Sequence, residues 1–205
     1  MEVMDAILRR RSIRKFTQKP IAKHELQDLV LAASMAAYPA NLQPMKFAIV
    51  TKAEEKQQLF ACTKWAGYLT NGTPAEEERP TAYIVMLGDK NIKANSDFQV
   101  ETGAAGTTIL LAAMEKGIAS CWLGALNREG IRELLSLPEH LVVTDVIALG
   151  YPAQQSVPAA MENNDVKYYM DDEGIIHVPK RSVTEVLYQK AKAQKPKQAE
   201  TEKPA

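Results

Sequence analysis

The 205-residue sequence predicts a domain that mixes α-helices and β-strands, of the α+β or three-layer α/β class. Runs rich in β-branched and aromatic residues at 46–51 and 82–87 are typical of strands. Helical and strand-like segments do not alternate strictly along the chain. A long small-and-apolar stretch, 102–116, predicts a helix buried within the domain. These three observations together predict the class.

The first half of the chain predicts two amphipathic helices followed by two strands. Apolar residues in both helices lie on one face, with spacing of the i, i+3, i+4, i+7 type; they are Val3, Ile7 and Leu8, then Leu26, Leu29, Val30 and Ala33. The strands are 46–51 (KFAIVT) and 82–87 (AYIVML), and Gly88-Asp89 ends the second.

The second half predicts the buried helix, three further strands and one short helix. Gly117 closes the buried helix, because glycine is favoured just beyond a helix C-terminus. Residues 118–123 and 143–149 are predicted strands. Asn127 is suited to cap a helix that runs to Leu135 before Pro138. The turn residues 171–174 (DDEG) predict a hairpin before a strand at 175–178.

Length and composition predict one folded domain, 1–188, and a disordered basic tail, 189–205. A chain of this size buries roughly 70% of its unfolded surface, so it needs no disulfide or structural metal. Residues 191–205 contain no aromatic residue, leucine or β-branched aliphatic residue, and they carry four Lys against two Glu. Such a segment cannot bury enough apolar surface to offset the entropy lost on ordering.

Charge and cysteine content exclude several function classes. Lys+Arg and Asp+Glu each number 25, and this zero net charge argues against a general nucleic-acid or membrane-surface binder. The two cysteines, Cys62 and Cys121, fit reduced thiols better than a secreted disulfide framework. The N-terminus carries acids where a signal peptide has bases, and the longest apolar run, 109–114, is far below the roughly 20 residues of a membrane span. We therefore expect a soluble, cytoplasmic protein.

Residues with metal-ligand or phosphate-loop spacing are missing from the sequence. His24, His140 and His177 are isolated, and neither cysteine has a second ligand at C-x-x-C spacing. The glycines of 103–106 only superficially resemble a phosphate loop and are better explained by close helix packing. No metal site is predicted.

A basic cluster at 9–15 is the most concentrated charge feature, with five cationic residues in seven. It has three interpretations: a solvated charge run at a helix C-terminus, a nucleic-acid surface, or a compact anion site. The nucleic-acid interpretation is weakened because no second basic stretch and no interleaved aromatic residues accompany the cluster. In an anion site, guanidinium groups and a hydroxyl converge on a phosphate or an anionic ring.

The spacing Arg10-x-Ser12-x-Arg14-x-Phe16 resembles the opening R-x-S-x-[RK]-x-F of the nitroreductase family of FMN-dependent oxidoreductases. Five further landmarks resemble those of the family and occur in its order: NLQP at 41–44 before a strand, the helix 101–114, CWLG at 121–124, ALGYP at 148–152, and the basic pair 180–181. Two positions depart from the family pattern. Tyr38 replaces a small hydroxyl residue ahead of Asn41, and Met45 replaces a tryptophan.

The resemblance implies a three-layer α/β/α fold with a mostly antiparallel central sheet around a buried central helix. It also implies a homodimer with two FMN sites at its interface, the Asn41 loop coming from the partner. The implied cofactor-binding residues are Arg10, Arg11, Ser12, Arg14, Tyr38, Pro39, Asn41, Gln43, Leu123, Gly124, Ala125, Lys180 and Arg181. Arg14 at the pyrimidine edge would favour reduced flavin by Coulomb attraction, and the Gly124 N–H would donate to N5.

The implied activity is that of a flavoprotein oxidoreductase with a ping-pong cycle. NADH or NADPH would reduce FMN, and a quinone, nitroaromatic or similar small acceptor would then take the electrons. Hydride transfer needs stacking and orientation but no obligatory protein acid or base, so no catalytic side chain is predicted. An alternative with the same cofactor residues is a flavoprotein that sequesters or senses FMN with little turnover.

Residues 64–72 (KWAGYLTNG) have two interpretations. Trp65 and Tyr68 either form a substrate lid or pack locally at the surface or a dimer interface. Trp122 is predicted to lie in the core or an interface, and Cys121, in the same strand, is predicted to be a buried thiol.

Overall fold

The structure is a computed structural model that describes residues 1–188; the predicted tail, 189–205, lies outside the described residues. The helices are α1 (Val3–Arg9), α2 (Lys23–Ser34), α3 (Ala53–Ala61), α4 (Gln99–Glu115), α5 (Arg128–Leu134) and α6 (Val183–Val186). The strands are β1 (Met45–Val50), β2 (Ala82–Asp89), β3 (Ala119–Leu123), β4 (Leu141–Gly150), β5 (Ser156–Ala160), β6 (Tyr169–Met170) and β7 (Ile176–Lys180). No helix in the described part of the chain is both long and apolar enough to cross a membrane.

The central sheet has the strand order β1-β2-β4-β3, and every neighbouring pair is antiparallel. All eight residues of β2 are buried, because the sheet is covered on both faces. One core cluster joins the sheet to α2 and α4, and a second joins its other face to α3 and α5. The predicted α+β class and its three-layer arrangement with a mostly antiparallel sheet are confirmed.

Helix α4 is the predicted buried central helix, and it lies close to the sheet. Ala105, Ile109 and Ala113 are fully buried along its length. At Gly106 an added Cβ would lie 2.3 Å from the indole of Trp122, so only glycine permits this approach. The half-buried Trp122 therefore packs against the core cluster, in line with the first of its two interpretations. Gly117 follows the helix with a φ of +69°, as its predicted terminating role requires.

The segment between α1 and α2 runs along the free edge of β3 and carries the Arg10–Phe16 motif. Ile13 N–H donates to the carbonyl of Ser120 at 3.0 Å, and Phe16 N–H donates to that of Glu78 at 2.8 Å. The Phe16 ring is buried against Gly150, where an ideal Cβ would lie only 2.7 Å from it. The motif is thereby held between β3 and the end of β4.

A second, smaller sheet follows β4, with the strand order β5-β7-β6. Strand β7 is parallel to β5 and antiparallel to β6. The predicted hairpin turn is present, with Gly174 at a φ of +81°. This sheet places the segment around Tyr168 beside the N-terminal motif.

Candidate functional site

The motif residues Arg10, Arg11, Ser12 and Arg14 form a partly buried cluster beside β3. Nη1 of Arg11 donates to the Arg10 carbonyl at 2.5 Å, and Nη1 of Arg14 lies 3.5 Å from the Ser12 carbonyl. The Arg14 backbone N–H donates to Oε1 of Gln154 at 3.3 Å. The cluster is therefore fixed by its own backbone and by the segment that follows β4.

In the described part of the chain, the positive charge of this cluster is not neutralised by an acidic side chain. Within residues 1–188, no salt bridge involves Arg10, Arg11 or Arg14, whereas the neighbouring Lys15 pairs with Glu78 at 3.0 Å. Among the same residues, Nε of Arg11 is buried without a hydrogen-bond partner. Burial and the adjacent Arg10 charge lower the pKa of Arg11. Guanidinium groups with unfilled donors and uncompensated charge are suited to bind an anion.

Cys121 lies directly behind the cluster and is buried, as predicted. Burial raises the pKa of its thiol, while Arg14, a hydrogen bond with Ser12, and Arg10 oppose that shift. The side chain is thus a neutral thiol that packs under the motif.

The end of β3 provides a second part of the candidate site, where Leu123 is buried and Gly124 and Ala125 are exposed. Nη2 of Arg128 donates to the Thr144 carbonyl at 2.8 Å and lies 3.3 Å from the Gly124 carbonyl. This guanidinium therefore links the ends of two strands and fixes the Gly124 backbone.

Asp145 lies across from Gly124, and its Oδ1 is 3.1 Å from the position that a Cβ on Gly124 would take. Burial raises the pKa of the Asp145 carboxyl, while a hydrogen bond with Trp122 and the Arg128 charge oppose the shift. A cavity of about 590 Å³ opens here between the start of α4 and the start of β4, lined in part by Asp145 and Arg128.

The loop with Tyr38, Pro39, Asn41 and Gln43 lies at the opposite edge of the sheet, before β1. Three inter-strand steps of about 4.8 Å separate that edge from β3. The Tyr38 hydroxyl donates to the Ala33 carbonyl at 2.8 Å, and its half-buried ring packs on the core. Burial and the nearby Glu101 raise the Tyr38 pKa.

This loop has an unusual backbone, and Asn41 and Gln43 have φ values of +53° and +50°. Nε2 of Gln43 donates to Oδ1 of Asn41 at 3.1 Å, and Pro39 is exposed. The loop thus holds the hydrogen-bonded Asn41 and Gln43 at the sheet edge opposite Arg14.

Lys180 and Arg181 are exposed at the end of β7. Nη1 of Arg181 donates to Oδ1 of Asn164 at 2.8 Å and lies 3.8 Å from Glu185. In the described residues, no hydrogen bond links this pair to the arginine cluster. A single chain therefore brings together the motif and β3, while the Asn41 loop lies at the opposite edge of the sheet.

Tyr168 is a site residue that the sequence did not indicate. Cζ of Arg14 lies 4.5 Å from the centroid of the Tyr168 ring, and that ring is tilted against Tyr68 at 5.1 Å. A separation of 154 residues from Arg14 leaves no local spacing to detect. The only available signal was a Tyr-Tyr pair within a polar segment.

The two aromatic residues of 64–72 have different surroundings. Trp65 is buried, stacks on Phe60 at 5.6 Å and donates from Nε1 to the Thr63 hydroxyl at 2.8 Å, which favours local packing. Tyr68 is half exposed and contacts Tyr168 beside Arg14. Across residues 1–188, no group of three or more His, Cys, Asp or Glu side chains is arranged to hold a metal ion.

The family model described as "Putative TM nitroreductase" matches residues 2–196. A "Putative NADH dehydrogenase/NAD(P)H nitroreductase" of Archaeoglobus fulgidus is 33% identical over 159 residues, covering 75% of this chain and 87% of the relative. A protein of the same name from Methanothermobacter thermautotrophicus is 32% identical, covering 75% and 79%.

Solved structures agree with these matches. The crystal structure of a "Putative NADH dehydrogenase/NAD(P)H nitroreductase" from Parabacteroides distasonis has a TM-score of 0.66 and 27% identity, covering 83% of this chain and 97% of that one. A nitroreductase in complex with FMN from Desulfovibrio desulfuricans has a TM-score of 0.69 at 23% identity, covering 93% and 98%, and this likeness shows the fold.

The fold and its N-terminal arginine motif define a nitroreductase-type protein. The chain belongs to the nitroreductase family, because the family model spans most of it and two relatives exceed 30% identity over three quarters of it. The predicted resemblance is therefore confirmed. The relatives' names also confirm, at the level of the family, the predicted class of NAD(P)H-dependent oxidoreductases.

Proposed function

We propose that the protein is an FMN-dependent oxidoreductase that transfers electrons from NADH or NADPH to a quinone, nitroaromatic or similar small acceptor by a ping-pong mechanism. The observation that carries this proposal is the arginine cluster with uncompensated charge beside β3. Two further relatives support it: an "NADPH-flavin oxidoreductase" of Vibrio harveyi, 29% identical, and an "FMN reductase [NAD(P)H]" of Bacillus subtilis, 25% identical.

The residues of this chain fit FMN. The Arg11 Nε is a buried donor without a partner, and the Arg14 guanidinium uses one N–H within residues 1–188, which leaves its other donors free. Ser12 adds a hydroxyl to these groups. A phosphate or the carbonyl-rich edge of a flavin would fill such donors and neutralise the charge.

FMN, when bound, supplies hydride transfer at N5 of its ring. Arg10, Arg11 and Ser12 would bind the phosphate and pyrimidine edge, and Lys180 and Arg181 would close on the phosphate. Arg14 would hold positive charge at the pyrimidine edge and so stabilise negative charge that develops there.

The ring edge of the flavin would lie over Leu123, Gly124 and Ala125. The Gly124 N–H would donate to the ring, since Arg128 already fixes the carbonyl of that residue. The missing Gly124 side chain leaves room for close approach.

The proposal includes a homodimer in which the partner supplies the loop with Tyr38, Pro39, Asn41 and Gln43. The position of this loop at the sheet edge opposite Arg14 supports a site that two chains complete together. The Tyr38 hydroxyl is already bonded to its own helix, so its ring rather than its hydroxyl would face the flavin. The predicted cytoplasmic location is consistent with two unpaired thiols and stays a prediction.

Purified protein tests this proposal directly. It should be yellow, with flavin absorbance that denaturation releases as FMN. Protein that is colourless and fails to take up added FMN would contradict both the oxidoreductase and the FMN store. Anaerobic mixing with NADH or NADPH then separates the two: bleaching within seconds indicates a reductase, and persistent colour indicates sequestration. A screen of quinones and nitroaromatics at fixed NADH identifies the acceptor class.

A further inference from the structure

Tyr168 makes the closest aromatic contact with the arginine motif that the described residues contain. Its ring centroid lies 4.5 Å from Cζ of Arg14. The Tyr168 ring also lies 5.1 Å from the Tyr68 ring, at an interplanar angle of 60°, and packs against the core cluster that contains Trp65. Arg14 thus contacts the Tyr168 ring, which in turn packs against Tyr68 from a distant part of the chain.

This contact restrains Arg14 without using its hydrogen-bond donors. A guanidinium is attracted to the face of an aromatic ring, whereas its N–H groups point outward in its own plane. The only acceptor bound to the Arg14 side chain within residues 1–188 is the Ser12 carbonyl, at 3.5 Å from Nη1. The guanidinium is therefore oriented while most of its donors stay available for a ligand.

Tyr168 is itself held by the β6–β7 hairpin. Oδ1 of Asp171 accepts hydrogen bonds from the N–H groups of Glu173 at 3.1 Å and Ile175 at 2.8 Å, and Oδ2 lies 2.7 Å from Nε2 of His177. The adjacent Tyr169 stacks on His177 with centroids 5.0 Å apart and planes at 8°. The Asp171 hydrogen bonds order the hairpin that follows Tyr168, while the exposed Tyr169 ring packs on its outer surface.

The same C-terminal segment also restrains the motif backbone, because Gln154 accepts the N–H of Arg14. Arg14 is accordingly restrained twice by residues 152–180, once at its backbone and once at its guanidinium. A solvated arginine needs neither restraint, whereas a charge that must meet one edge of a planar cofactor benefits from both.

We propose that Tyr168 is a positioning residue for Arg14. It holds the Arg14 guanidinium at the pyrimidine edge of FMN, so that FMN binds more tightly and is easier to reduce. This inference rests on the proposed function. A freely moving guanidinium would spend part of its time away from the ring and would stabilise negative charge there less well. Tyr168 therefore strengthens the binding of reduced FMN more than the binding of oxidised FMN.

The test compares Tyr168→Leu with Tyr168→Phe and with Tyr169→Leu. The leucine variant loses the cation–π contact and should bind oxidised FMN about threefold and reduced FMN about fifteenfold more weakly. The fivefold difference corresponds to a two-electron potential lower by about 20 mV. Dissociation constants come from titration of the apoprotein, and potentials from anaerobic titration against a reference dye.

Two controls separate positioning from a general loss of structure. Tyr168→Phe keeps the ring face and should restore both constants and the potential. Tyr169→Leu removes a neighbouring ring that does not contact Arg14 and keeps the Asp171 contacts of the hairpin, so it should leave the potential unchanged. An equal fall in potential for Tyr168→Leu and Tyr169→Leu would overturn the proposal, as would failure of the phenylalanine variant to restore it. Melting curves for all three variants exclude unfolding as the cause.

A double-variant comparison shows whether Tyr168 acts through Arg14. In an Arg14→Ala background, Tyr168→Leu should change neither binding nor potential further. An additional fall of similar size in that background would overturn the positioning role. A lowered potential in Arg14→Ala with an unchanged one in Tyr168→Leu would overturn this inference alone. Absence of FMN binding by the unchanged protein would overturn the proposed function as well.

Discussion

At the scale of single residues, Arg14 combines the most contacts relevant to a bound anion: a backbone tie to Gln154, a carbonyl contact with Ser12 and the face of Tyr168. Arg14→Ala should raise the FMN dissociation constant about tenfold to a hundredfold, because hydrogen bonds to charged groups contribute roughly 1.5–3 kcal/mol. It should also lower the flavin potential. Titration of apoprotein and anaerobic potentiometry measure the two effects.

Arg181→Ala is the matched control for Arg14→Ala, because it removes an equal charge at the other end of the proposed ligand. It should weaken FMN binding while it leaves the potential near that of the unchanged protein. An unchanged potential in Arg14→Ala would show that Arg14 does not lie at the pyrimidine edge.

Asp145 is a residue whose ionisation costs stability. Burial raises its pKa, so the folded protein holds this proton more tightly than the unfolded chain does. A carboxyl group with a raised pKa adds to the free energy of unfolding at pH values below its pKa in the unfolded chain. This contribution is lost as the pH rises through its pKa in the folded protein. Asp145→Asn should therefore raise the melting temperature at pH 7.5 more than at pH 4.5. The gain should stay below about 1 kcal/mol, because the carboxylate is half exposed and solvent screens its charge.

The comparison needs melting curves of both proteins at several pH values. A gain in melting temperature that is the same at pH 4.5 and pH 7.5 would show that ionisation of Asp145 is not its source.

At the scale of elements, the approach of α4 to β3 depends on the glycine at 106. Gly106→Ala should destabilise the protein by about 1–3 kcal/mol, because the new methyl group would overlap the Trp122 indole. Gly103→Ala, in the same helix, meets no atom within 4 Å and should raise stability by up to about 1 kcal/mol through helix propensity. Chemical denaturation of both variants measures the difference. Equal stabilities would contradict the close packing of α4 on β3.

The elements with strong local signals could be predicted from sequence. Helix α4 was predicted from its apolar content and Gly117, and α5 from the Asn127 cap, which accepts the Gly130 N–H at 3.1 Å. Strands β2 and β4 are predictable to within two residues at each end because both are rich in β-branched and other apolar residues. In each case the decisive information lies within a few neighbouring residues.

Elements that depend on distant partners were missed. Helix α3 buries only Leu59, and apart from Phe60 and its two terminal alanines its other residues are polar, so it shows no apolar periodicity. Strand β5 contains Pro158 and three partly buried residues, and it exists because β7 pairs with it. The contact of Tyr168 with Arg14 was missed for the same reason, although the Arg10–Arg14 motif that it supports was apparent from spacing.

At the scale of the whole molecule, the net charge of zero includes a local excess of positive charge in the arginine cluster. The arginine cluster has no carboxylate partner within residues 1–188, so the overall balance arises from charges placed elsewhere. The sequence could indicate this cluster and its family resemblance. It could not show that one chain places Asn41 and Arg14 at opposite edges of its sheet, because that separation follows from strand order.

The separation of Asn41 from Arg14 within one chain leads to a prediction about the proposed dimer. If each flavin site takes Arg14 from one chain and Asn41 from the partner, Arg14→Ala and Asn41→Ala homodimers should both bind FMN weakly. A mixed dimer of the two variants places both changes in one site and leaves the other site intact. Co-expression with two different affinity tags, followed by sequential purification, should yield dimers with half the wild-type FMN content at the wild-type dissociation constant. Mixed dimers with two equally weak sites would show instead that each site draws Arg14 and Asn41 from the same chain.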